Sequence, residues 1–451
     1  MSVLFSMGFI ERVIFVVAHE IQRPGFVGLY KSLVRNQWRS QEAIMDDQNR
    51  KLRRMIEFCY NHVPFYRQRF KEANLVPSDI KTVKDLEKLP PTTKNDLLRN
   101  KVSSFPQGVN VRHYVRTTGG TTGDPLTYRI SHEDRFLSGA LLYRGWSGGG
   151  YHLGDKVLTL AGSSLIEDLK STARVRVTEL TRNIRFASAF KMNPRNLLSY
   201  VGMMNSWKPS FLRGYPSALY EFARFIESHD LSIPETSAIL VTSEKLYQEV
   251  RETLQRVFRA RVFDGYGAND GGIGAYEYEC GKMHIDTERS ILEVVDENNE
   301  QIASGEGHVL ATSLANFAMP VLRYDMGDEV VLSDELCSCG RGSPVLKEVI
   351  GRTVAVLVMP DGTRVHGWFF QHVFFRVGEQ VKKYRVVQET KDRIEIDIVP
   401  GSSFGEHTIE SIRELVSHTC NDWILNFHIV ESIPKTKSGK AIYIQSKVKL
   451  R

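Results

Sequence analysis

The chain has 451 residues, which is too long for one ordinary hydrophobic core and therefore predicts two or more domains. Hydrophobic residues make up 42% of it and charged residues 25%, a composition typical of soluble globular proteins. The net charge of +6 suits anionic substrates such as nucleotides, although a mildly basic surface is the simpler interpretation. No dense basic block of the kind that binds nucleic acid is present, so nucleic acid is not an expected partner.

The N-terminal segment is apolar at helical spacing, but no apolar run reaches the roughly 18 to 20 residues needed to span a bilayer. The recurring apolar residues are Leu4, Phe5, Phe9, Ile10, Val13, Ile14 and Val17. Glu11 and Arg12 interrupt them and no small-residue cleavage site follows, so the segment is a poor signal peptide. We expect a helix packed on the domain of a cytoplasmic protein, and a helix lying on a membrane surface is the alternative.

The next part of the chain is helical and then changes to alternating strands and helices. Residues 41–63 predict a long helix closed by Pro64, because proline disfavours helix in the residue before it. From about Asp155 short apolar runs alternate with helices, which is typical of βαβ units. Ala238–Thr242 reads as a buried strand, and Arg261 begins the next one. The helix between them presents one apolar face, formed by Leu246, Val250, Leu254, Val257 and Phe258.

The last third of the chain predicts hairpins and then a separate small domain. Polar turns at residues 296–300 and 360–362 lie between strand-like runs. About a hundred residues follow Gly351 and Arg352, and they alternate β-like runs with one helix near residues 408–418. We therefore expect an N-terminal domain of residues 1–350, helical over its first hundred residues, and a C-terminal domain of residues 351–451.

A threonine- and glycine-rich loop is the strongest chemical signal. It comprises Thr117, Thr118, Gly119, Gly120, Thr121, Thr122 and Gly123. Glycines let backbone N–H groups turn toward a bound anion, and threonine hydroxyls add donors for phosphate oxygens. No Gly-Lys-Ser/Thr ends the loop, so it is not a Walker loop. The pattern favours phosphate binding, with a flexible surface turn as the alternative.

Two further segments carry residue types suited to a nucleotide. Tyr266 and Asp270 follow a predicted strand, and ligand crevices in open α/β sheets lie at strand ends. A tyrosine can stack on a purine, and a carboxylate can hold magnesium. Asp328 could accept hydrogen bonds from ribose hydroxyls. The alternative for this last segment is a surface turn with a local pair between Arg323 and Asp325.

A basic, glycine-containing loop at residues 434–440 lies near the C-terminus. A lysine in it, such as Lys440, could neutralise charge that develops on a phosphate. A lysine-rich loop is more often solvated surface, so the loop gains weight only together with the other segments.

Three of the five cysteines lie in two knuckle-like turns that also contain a histidine. These residues are Cys280, His284, Cys337 and Cys339. Three thiols and one imidazole suit tetrahedral zinc in a closed structural site. The alternative is reduced structural cysteines beside an unrelated histidine, because the spacing of Cys337 and Cys339 is tighter than usual. Cys59 and Cys420 are expected to be buried thiols.

In this order and spacing the segments resemble the adenylate-forming superfamily of acyl-CoA synthetases, luciferases and nonribosomal adenylation domains. The closer resemblance is to its phenylacetate–CoA ligase branch, including relatives encoded with capsular-polysaccharide genes. It covers roughly residues 50–445. Further motifs that resemble this branch are VPFYR at 63–67, LPPTTKNDL at 89–97, LRGYPS at 212–217 and TSEKL at 242–246.

The resemblance implies an α/β fold, with a large N-terminal adenylate-forming domain of β-sheets and packed helices and a small mobile α+β C-terminal lid domain. It also implies roles for individual residues. The loop from Thr117 to Gly123 would hold the ATP phosphates, and the adenine would be bordered by Ser243, Glu244, Tyr266 and Gly267. Asp270 would bind magnesium, and Asp328 would bind the ribose. Arg352 would mark the hinge, and Lys440 would contact the α-phosphate and the carboxylate. Some members of the branch have a structural zinc site at the cysteine turns.

The function implied is ATP-dependent activation of a carboxylic acid to an acyl-adenylate, followed by transfer to CoA with release of AMP. One alternative passes the acyl group to an amine, hydroxyl or carrier protein in polysaccharide or natural-product biosynthesis. Another is a catalytically inactive nucleotide-binding assembly protein. A homodimer is a further hypothesis. The acid pocket is expected around Tyr143, Trp146, Tyr215, Ala268 and Asn269.

The sequence departs from the family pattern at three places. Gly120 replaces a usual Ser or Thr, and Asp270 stands where a glutamate is usual. Val354 and Ala355 follow Arg352 and Thr353, where the family often has acidic hinge residues. The first two leave adenylation intact in principle, whereas the third bears on lid rotation and the thioester step.

Overall fold

The computed structural model describes residues 2–118, 126–161, 172–189, 192–352, 356–362, 364–366, 368–417, 420, 422–433 and 444–448. The chain divides into two compact units, Met1–Ile350 and Gly351–Arg451.

The N-terminal unit begins with helices. They are Ser2–Gln22 (α1), Phe26–Asn36 (α2), Gln41–His62 (α3), Pro64–Glu72 (α4) and Lys94–Arg99 (α5). Ser40 caps α3 by accepting a hydrogen bond from the backbone N–H of Ala43 at 3.2 Å. Pro64 ends α3 and begins α4, because its fixed φ suits the first helical position and its missing N–H is not needed there. The predicted helix over residues 41–63 is confirmed to within one residue.

Helix α1 packs on the N-terminal unit through its second half. Phe15 is completely buried and His19 is nearly so; both lie against Tyr143, and His19 also lies against Phe26. The opposite side of the helix leaves an apolar row exposed, formed by Ile10, Val13, Val17 and Ile21. Within the described residues, no helix is long and apolar enough to cross a membrane.

Strands and helices then alternate. A hairpin of His113–Thr117 (β1) and Thr127–Ser131 (β2) precedes helix His132–Ser147 (α6). The following elements are Val157–Ala161 (β3), Thr172–Arg182 (α7), Ile184–Ser188 (β4), Pro194–Trp207 (α8), Phe211–Gly214 (β5), Pro216–Ser228 (α9), Ala238–Thr242 (β6), Gln248–Phe258 (α10) and Arg261–Ala268 (β7). Strands β4, β3, β5, β6 and β7 are neighbours in that order and run parallel.

The remaining strands of the unit extend the same sheet. They are Ile273–Glu277 (β8), Met283–Ile285 (β9), Ser290–Val295 (β10), Gly305–Ser313 (β11), Tyr324–Leu332 (β12) and Val345–Arg352 (β13). The described residues form an 11-stranded sheet in the order β10-β11-β12-β13-β9-β8-β7-β6-β5-β3-β4. The predicted hairpin between β10 and β11 is confirmed as an antiparallel pair.

Apolar side chains pack on both faces of the parallel half, which explains its nearly continuous hydrophobic strands. On one face α8, α9 and α10 cover the sheet, and α9 buries an apolar face there, formed by Leu219, Phe222, Ala223 and Ile226. On the other face α6 and the first two helices pack against Phe211, Leu240 and Phe263.

The C-terminal unit is α+β. Its described elements are Val356–Val358 (β14), Arg364–His366 (β15), Trp368–Val377 (α11), Val381–Thr390 (β16), Arg393–Pro400 (β17), Glu406–Ser417 (α12), Ile424–Ile429 (β18) and Ile444–Ser446 (β19). Strands β14 and β15 form a hairpin across the predicted turn at residues 360–362. The other strands form a sheet in the order β18-β17-β16-β19, which packs with both helices around one core.

Candidate functional site

A β-bulge in β12 displays one of the predicted site residues. Across β11 and β12 His308 pairs with Glu329, whereas Leu310 pairs with Asp325, so β12 carries extra residues between the two pairs. Gly327 lies in this bulge at φ +65°, a conformation that glycine adopts without strain. The bulge interrupts the strand alternation next to Asp328.

Asp328 and Tyr266 meet across the sheet. The hydroxyl of Tyr266, near the end of β7, donates a hydrogen bond of 2.8 Å to Oδ2 of Asp328 in β12. Asp328 is 7% exposed, and Tyr266 is half-buried. The strand continues through Tyr266 and Gly267 to Ala268, so these residues form the end of β7 rather than following it.

Asp270 lies beside the same pair of strands. Its Oδ2 accepts a hydrogen bond from the hydroxyl of Tyr324 at 3.4 Å. A side chain on Gly271 would collide with Met326, so the turn after β7 lies directly against the bulged strand. Tyr266, Asp270 and Asp328 thus share one region, which we call the β7–β12 edge.

The predicted pair Ser243 and Glu244 follows β6. Ser243 has φ +73°, and a non-glycine residue held in the left-handed region is uncommon and is often found at functional sites. Glu244 Oε2 accepts a hydrogen bond of 3.0 Å from the backbone N–H of Ser217, in the first turn of α9. The carboxylate therefore stabilises the start of that helix, where the dipole favours negative charge.

The residues on either side of the threonine- and glycine-rich loop are hydrogen-bonded to each other. The backbone N–H of Thr118 donates to the carbonyl of Leu126 at 2.9 Å, and the N–H of Leu126 donates to Thr118 Oγ1 at 3.0 Å. Thr117 pairs with Thr127 in the ladder. Residues 119–123 and Lys440 lie outside the described residues, and Arg352 is the last residue of β13.

A cavity of about 50 Å³ lies between α6 and the sheet, next to Tyr266 and Gly267. Its lining includes Trp146, which was expected to line the acid pocket. Two other residues expected there, Tyr143 and Tyr215, are buried in the cores on opposite faces of the sheet.

Arg323 does not form the local pair with Asp325 that the sequence offered as an alternative. Its side chain is 1% exposed, and its Nε donates to Glu293 Oε1 at 3.0 Å. Its other nitrogens donate to the backbone carbonyls of Leu89 and Asn299. Burial raises the pKa of Glu293 to about 6, and the Arg323 charge opposes that shift. Arg323 therefore ties the start of β12 to two other segments.

The cysteine and histidine side chains predicted to bind zinc come together. Ligand atoms of Cys280, His284, Cys337 and Cys339 all lie within 4.8 Å of one another. The separations are 3.7 Å between the sulfurs of Cys280 and Cys337, 3.9 Å from Cys280 Sγ to His284 Nε2, and 3.4 Å from Cys339 Sγ to His284 Nε2. A tetrahedral zinc ion with Zn–S bonds of 2.3 Å needs ligand separations of roughly 3.8 Å. We call this group the cysteine knuckle.

The surroundings of the cysteine knuckle suit a metal site. His284 Nδ1 lies 3.1 Å from Ser343 Oγ, which leaves Nε2 facing the sulfurs. Burial, and then the charge of Arg341, lower the pKa of His284 to about 4, so the ring is neutral at pH 7, as a ligand must be.

Arg341 joins the cysteine knuckle to the N-terminal helices. Its Nη1 donates to Cys339 Sγ at 3.5 Å, and its Nε donates to Gln37 Oε1 at 2.9 Å. Its guanidinium also lies over the rings of Tyr278 and Trp38, at 3.8 Å and 4.4 Å. This buried cation would balance the negative charge of three thiolates around one divalent ion.

Comparisons with known proteins show which sequences and folds this chain resembles. Residues 357–447 match the family profile of the CapK C-terminal domain. Protein CapK of Staphylococcus aureus is 23% identical over 406 residues, which are 89% of each chain. A phenylacetate-coenzyme A ligase of Thermus thermophilus is 24% identical, covering 85% of this chain and 90% of the ligase. The crystal structure of 2-hydroxyisobutyryl-CoA ligase, in the postadenylation state with 2-HIB-AMP, matches with a TM-score of 0.71, at 20% identity and over 89% of each chain.

The fold is therefore that of adenylate-forming ligases, as the sequence predicts. CapK and phenylacetate–CoA ligases are homologues of this chain, which confirms the predicted resemblance. The same relatives support the predicted enzyme class, an AMP-forming acid–CoA ligase or a related acyl-adenylating enzyme.

Arg213 and Tyr276 are among the cavity-lining residues to which sequence reasoning gave no role. Arg213 belongs to a quoted motif, but no role was given to it. The signal that could have identified it is a charged residue within the otherwise buried run of β5.

Proposed function

We propose that this protein activates a carboxylic acid with ATP to form an acyl-adenylate and then transfers the acyl group to CoA, releasing AMP. The observation that carries the proposal is the hydrogen bond between Tyr266 and Asp328. It holds an aromatic ring and a carboxylate together at one edge, where the ring can stack on adenine and the carboxylate can accept hydrogen bonds from ribose.

The chemistry requires alignment and charge dispersal more than a protein nucleophile. A carboxylate oxygen attacks the α-phosphorus of ATP, the bond to pyrophosphate breaks, and a mixed anhydride forms. The protein must hold the two reactants in line, stabilise charge on the leaving pyrophosphate and exclude water. The thiol of CoA then attacks the acyl carbon, loses its proton, and displaces AMP.

The residues on both units have complementary roles in this proposal. Thr117 to Gly123 would hold the phosphates, Ser243, Glu244 and Gly267 would border the adenine, and Asp270 would hold a magnesium ion. Lys440 would contact the α-phosphate and the acid, and Arg352 would mark the hinge of a C-terminal lid. Because ATP and CoA are cytoplasmic metabolites, we place the activity in the cytoplasm.

ATP–pyrophosphate exchange with a panel of carboxylic acids tests the first half-reaction. Exchange that depends on an acid is the expected result. If none of the acids supports exchange and the protein still binds ATP, the alternative of a nucleotide-binding assembly protein would be favoured instead.

A single-turnover experiment tests the second half-reaction. The adenylate is formed first, CoA is added, and AMP release and thioester are followed by mass spectrometry. Val354 and Ala355 cannot make charged hinge contacts, but a hinge needs only residues that absorb a change in φ and ψ. We therefore expect CoA to consume the adenylate. An adenylate that persists with CoA but disappears with an amine, a hydroxyl or a carrier protein would replace the ligase assignment with the acyl-transfer alternative.

We further infer that the cysteine knuckle holds one structural zinc ion. The donor set and its separations fit a closed tetrahedral site, in which the protein supplies all four ligands. Metal analysis of the purified protein should give about one zinc per chain. A metal-free protein that melts at the same temperature as the zinc-loaded protein would contradict the inference.

A further inference from the structure

The cavity beside the β7–β12 edge contains a charged group in a largely apolar wall. Leu142 and Trp146 of α6 line one side, and Leu240 and Phe263 of the sheet line the other. The half-buried side chain of Arg213, from β5, also lines it. Apolar walls with a few polar groups are typical of small-molecule sites, where the polar groups determine orientation and specificity.

Arg213 has no carboxylate or other hydrogen-bond partner among the described residues. Its guanidinium lies 5.0 Å from the ring of Trp146, which attracts the cation but accepts none of its five N–H groups as a carboxylate would. Burial lowers the pKa of Arg213, whereas Tyr276, Tyr143 and Tyr215 oppose that shift, and the charge of Arg182 at the end of α7 adds to it. Within the part of the chain that the structure describes, no carboxylate therefore compensates the charge of Arg213.

The two acidic residues of the cavity lining, Asp264 and Glu277, do not compensate the charge of Arg213. The backbone N–H of Asp264 donates to Glu277 Oε2 at 3.0 Å. The same oxygen of Glu277 lies 2.8 Å from Arg251 of α10, which packs on the opposite face of the sheet. Burial, and then the charge of Glu277, raise the pKa of Asp264 to about 7. These carboxylates belong to a separate cluster with its own arginine.

Close packing between α6 and the sheet forms part of the cavity wall. Gly145 of α6 leaves room for the ring of Tyr276, with which any side chain at that position would collide. The ring of Tyr276 therefore lies against the helix backbone as part of the cavity wall. A volume of about 50 Å³ favours an acid with few atoms over a long acyl chain.

We propose that the cavity binds the acyl part of a small dicarboxylic acid, with Arg213 pairing with the carboxylate that does not react. The proposal rests on the proposed function and specifies its substrate class. One carboxylate of the acid would face the nucleotide beside Gly267, and the other would form a bidentate pair with the guanidinium. An arginine and a carboxylate match in geometry as well as in charge, so such a pair both attracts and orients the acid.

Matched acids that differ only in the second carboxylate test the proposal. Suitable pairs are malonate with propionate, and succinate with butyrate. ATP–pyrophosphate exchange gives kcat/KM for each acid with the wild type, Arg213→Met and Arg213→Lys. Arg185→Met is the matched control, because Arg185 also lies over a tryptophan ring, at 4.8 Å from that of Trp207, and is not part of the cavity lining.

We expect the wild type to prefer the diacid of at least one pair by about 10-fold or more. Arg213→Met should lower kcat/KM for that diacid by about 100-fold and leave the monoacid within about threefold, because only the diacid loses a charge-assisted pair. Arg213→Lys should retain part of the preference, and Arg185→Met should retain all of it.

A preference of the wild type for monoacids in every pair would overturn the proposal, even if Arg213→Met does not fold. An equal loss for both members of a pair in Arg213→Met would also overturn it, because a purely structural role of Arg213 changes all acids alike. If only monoacids support exchange, the dicarboxylate proposal is rejected and the proposed function is kept. If no acid of either kind supports exchange, both the dicarboxylate proposal and the proposed function are rejected.

Discussion

The β7–β12 edge and the cysteine knuckle lie on neighbouring strands of one sheet, but they are built on different principles. At the edge, Tyr266 and Asp328 are joined by one hydrogen bond between side chains that could each also bind a ligand. In the knuckle, three thiols and one imidazole face one another, and they would supply all four ligands of a tetrahedral ion and leave no position for a substrate. The first arrangement can exchange partners during a reaction, whereas the second is complete by itself.

The two regions also differ in how the chain reaches them. The edge residues are held by strand ends and by a bulge at Gly327, so their positions depend on the register of the whole sheet. The three cysteines of the knuckle lie in the connections before β9 and before β13, and His284 lies in β9 itself. We therefore expect substitutions at the edge to change rates and substrate affinity, and substitutions in the knuckle to change metal content and stability.

The largest expected effect on chemistry alone is that of Lys440→Ala. Loss of one preorganised charge at the reacting phosphate should lower adenylate formation by about 100-fold or more, with little change in ATP binding or melting temperature. Single-turnover adenylate formation measures it, and Lys437→Ala in the same loop is the control. A near-normal rate in Lys440→Ala would refute the assigned role.

For Cys337→Ser we expect a loss of metal and stability, with little change in adenylate formation. Zinc should fall from about one per chain to a small fraction, because a hydroxyl is a much poorer zinc ligand than a thiolate. The melting temperature should fall by about 5 °C or more, since in a large domain each kcal/mol corresponds to roughly 2 to 4 °C. Adenylate formation per folded molecule should remain near the wild-type value.

The exposed neighbour Ser338 provides the control for this variant. Ser338→Ala should keep both zinc and stability, as measured by metal analysis and thermal unfolding. If Cys337→Ser retained its zinc and instead lost adenylate formation, the separation between the two regions would be wrong.

A smaller effect is expected for Asp328→Ala. The variant loses the acceptor of the Tyr266 hydroxyl and the proposed acceptor of the ribose, so KM for ATP should rise about 30-fold. Steady-state kinetics with ATP as the varied substrate measures it, with Asp334→Asn, exposed on the segment after β12, as the control. An unchanged KM with a lower melting temperature would make Asp328 structural, like the cysteine knuckle.

The smallest effect of the four is expected for Arg341→Met. The substitution removes the donor to Cys339 and the partner of Gln37 without removing a ligand. Groups that contact metal ligands commonly affect metal affinity by 10- to 100-fold, and we expect about 10-fold faster loss of zinc to a chelator. A rate equal to that of the wild type would show that Arg341 only packs between Tyr278 and Trp38.

Much of the local structure could be predicted from periodicity. Strand Ala238–Thr242 and the end of α3 before Pro64 follow from patterns that lie within one element. The ligand types of the cysteine knuckle could also be predicted, because sulfur and imidazole have few other uses in such turns. The roles of Ser243, Asp270 and Lys440 in binding the nucleotide remain predictions.

Other features depend on which segments become neighbours. The sequence offers Asp325 as the nearest partner of Arg323, but the sheet brings it to Glu293, 30 residues earlier in the chain. Glu244 is adjacent to a predicted strand, and only the fold turns its carboxylate toward the first turn of α9. Strand order and register decide these pairings, and neither is encoded in the pattern of a single segment.

The sequence by itself determined the class of fold, the predicted domain boundary at Gly351 and the residue types available for chemistry, because these depend on local pattern and composition. The tertiary structure alone decided that Tyr266 reaches Asp328 and that Arg213 lines an apolar cavity without a carboxylate partner among the described residues. The physical reason is that burial and pairing depend on contacts between distant strands, and a charged side chain acquires its chemical role only from the groups that surround it.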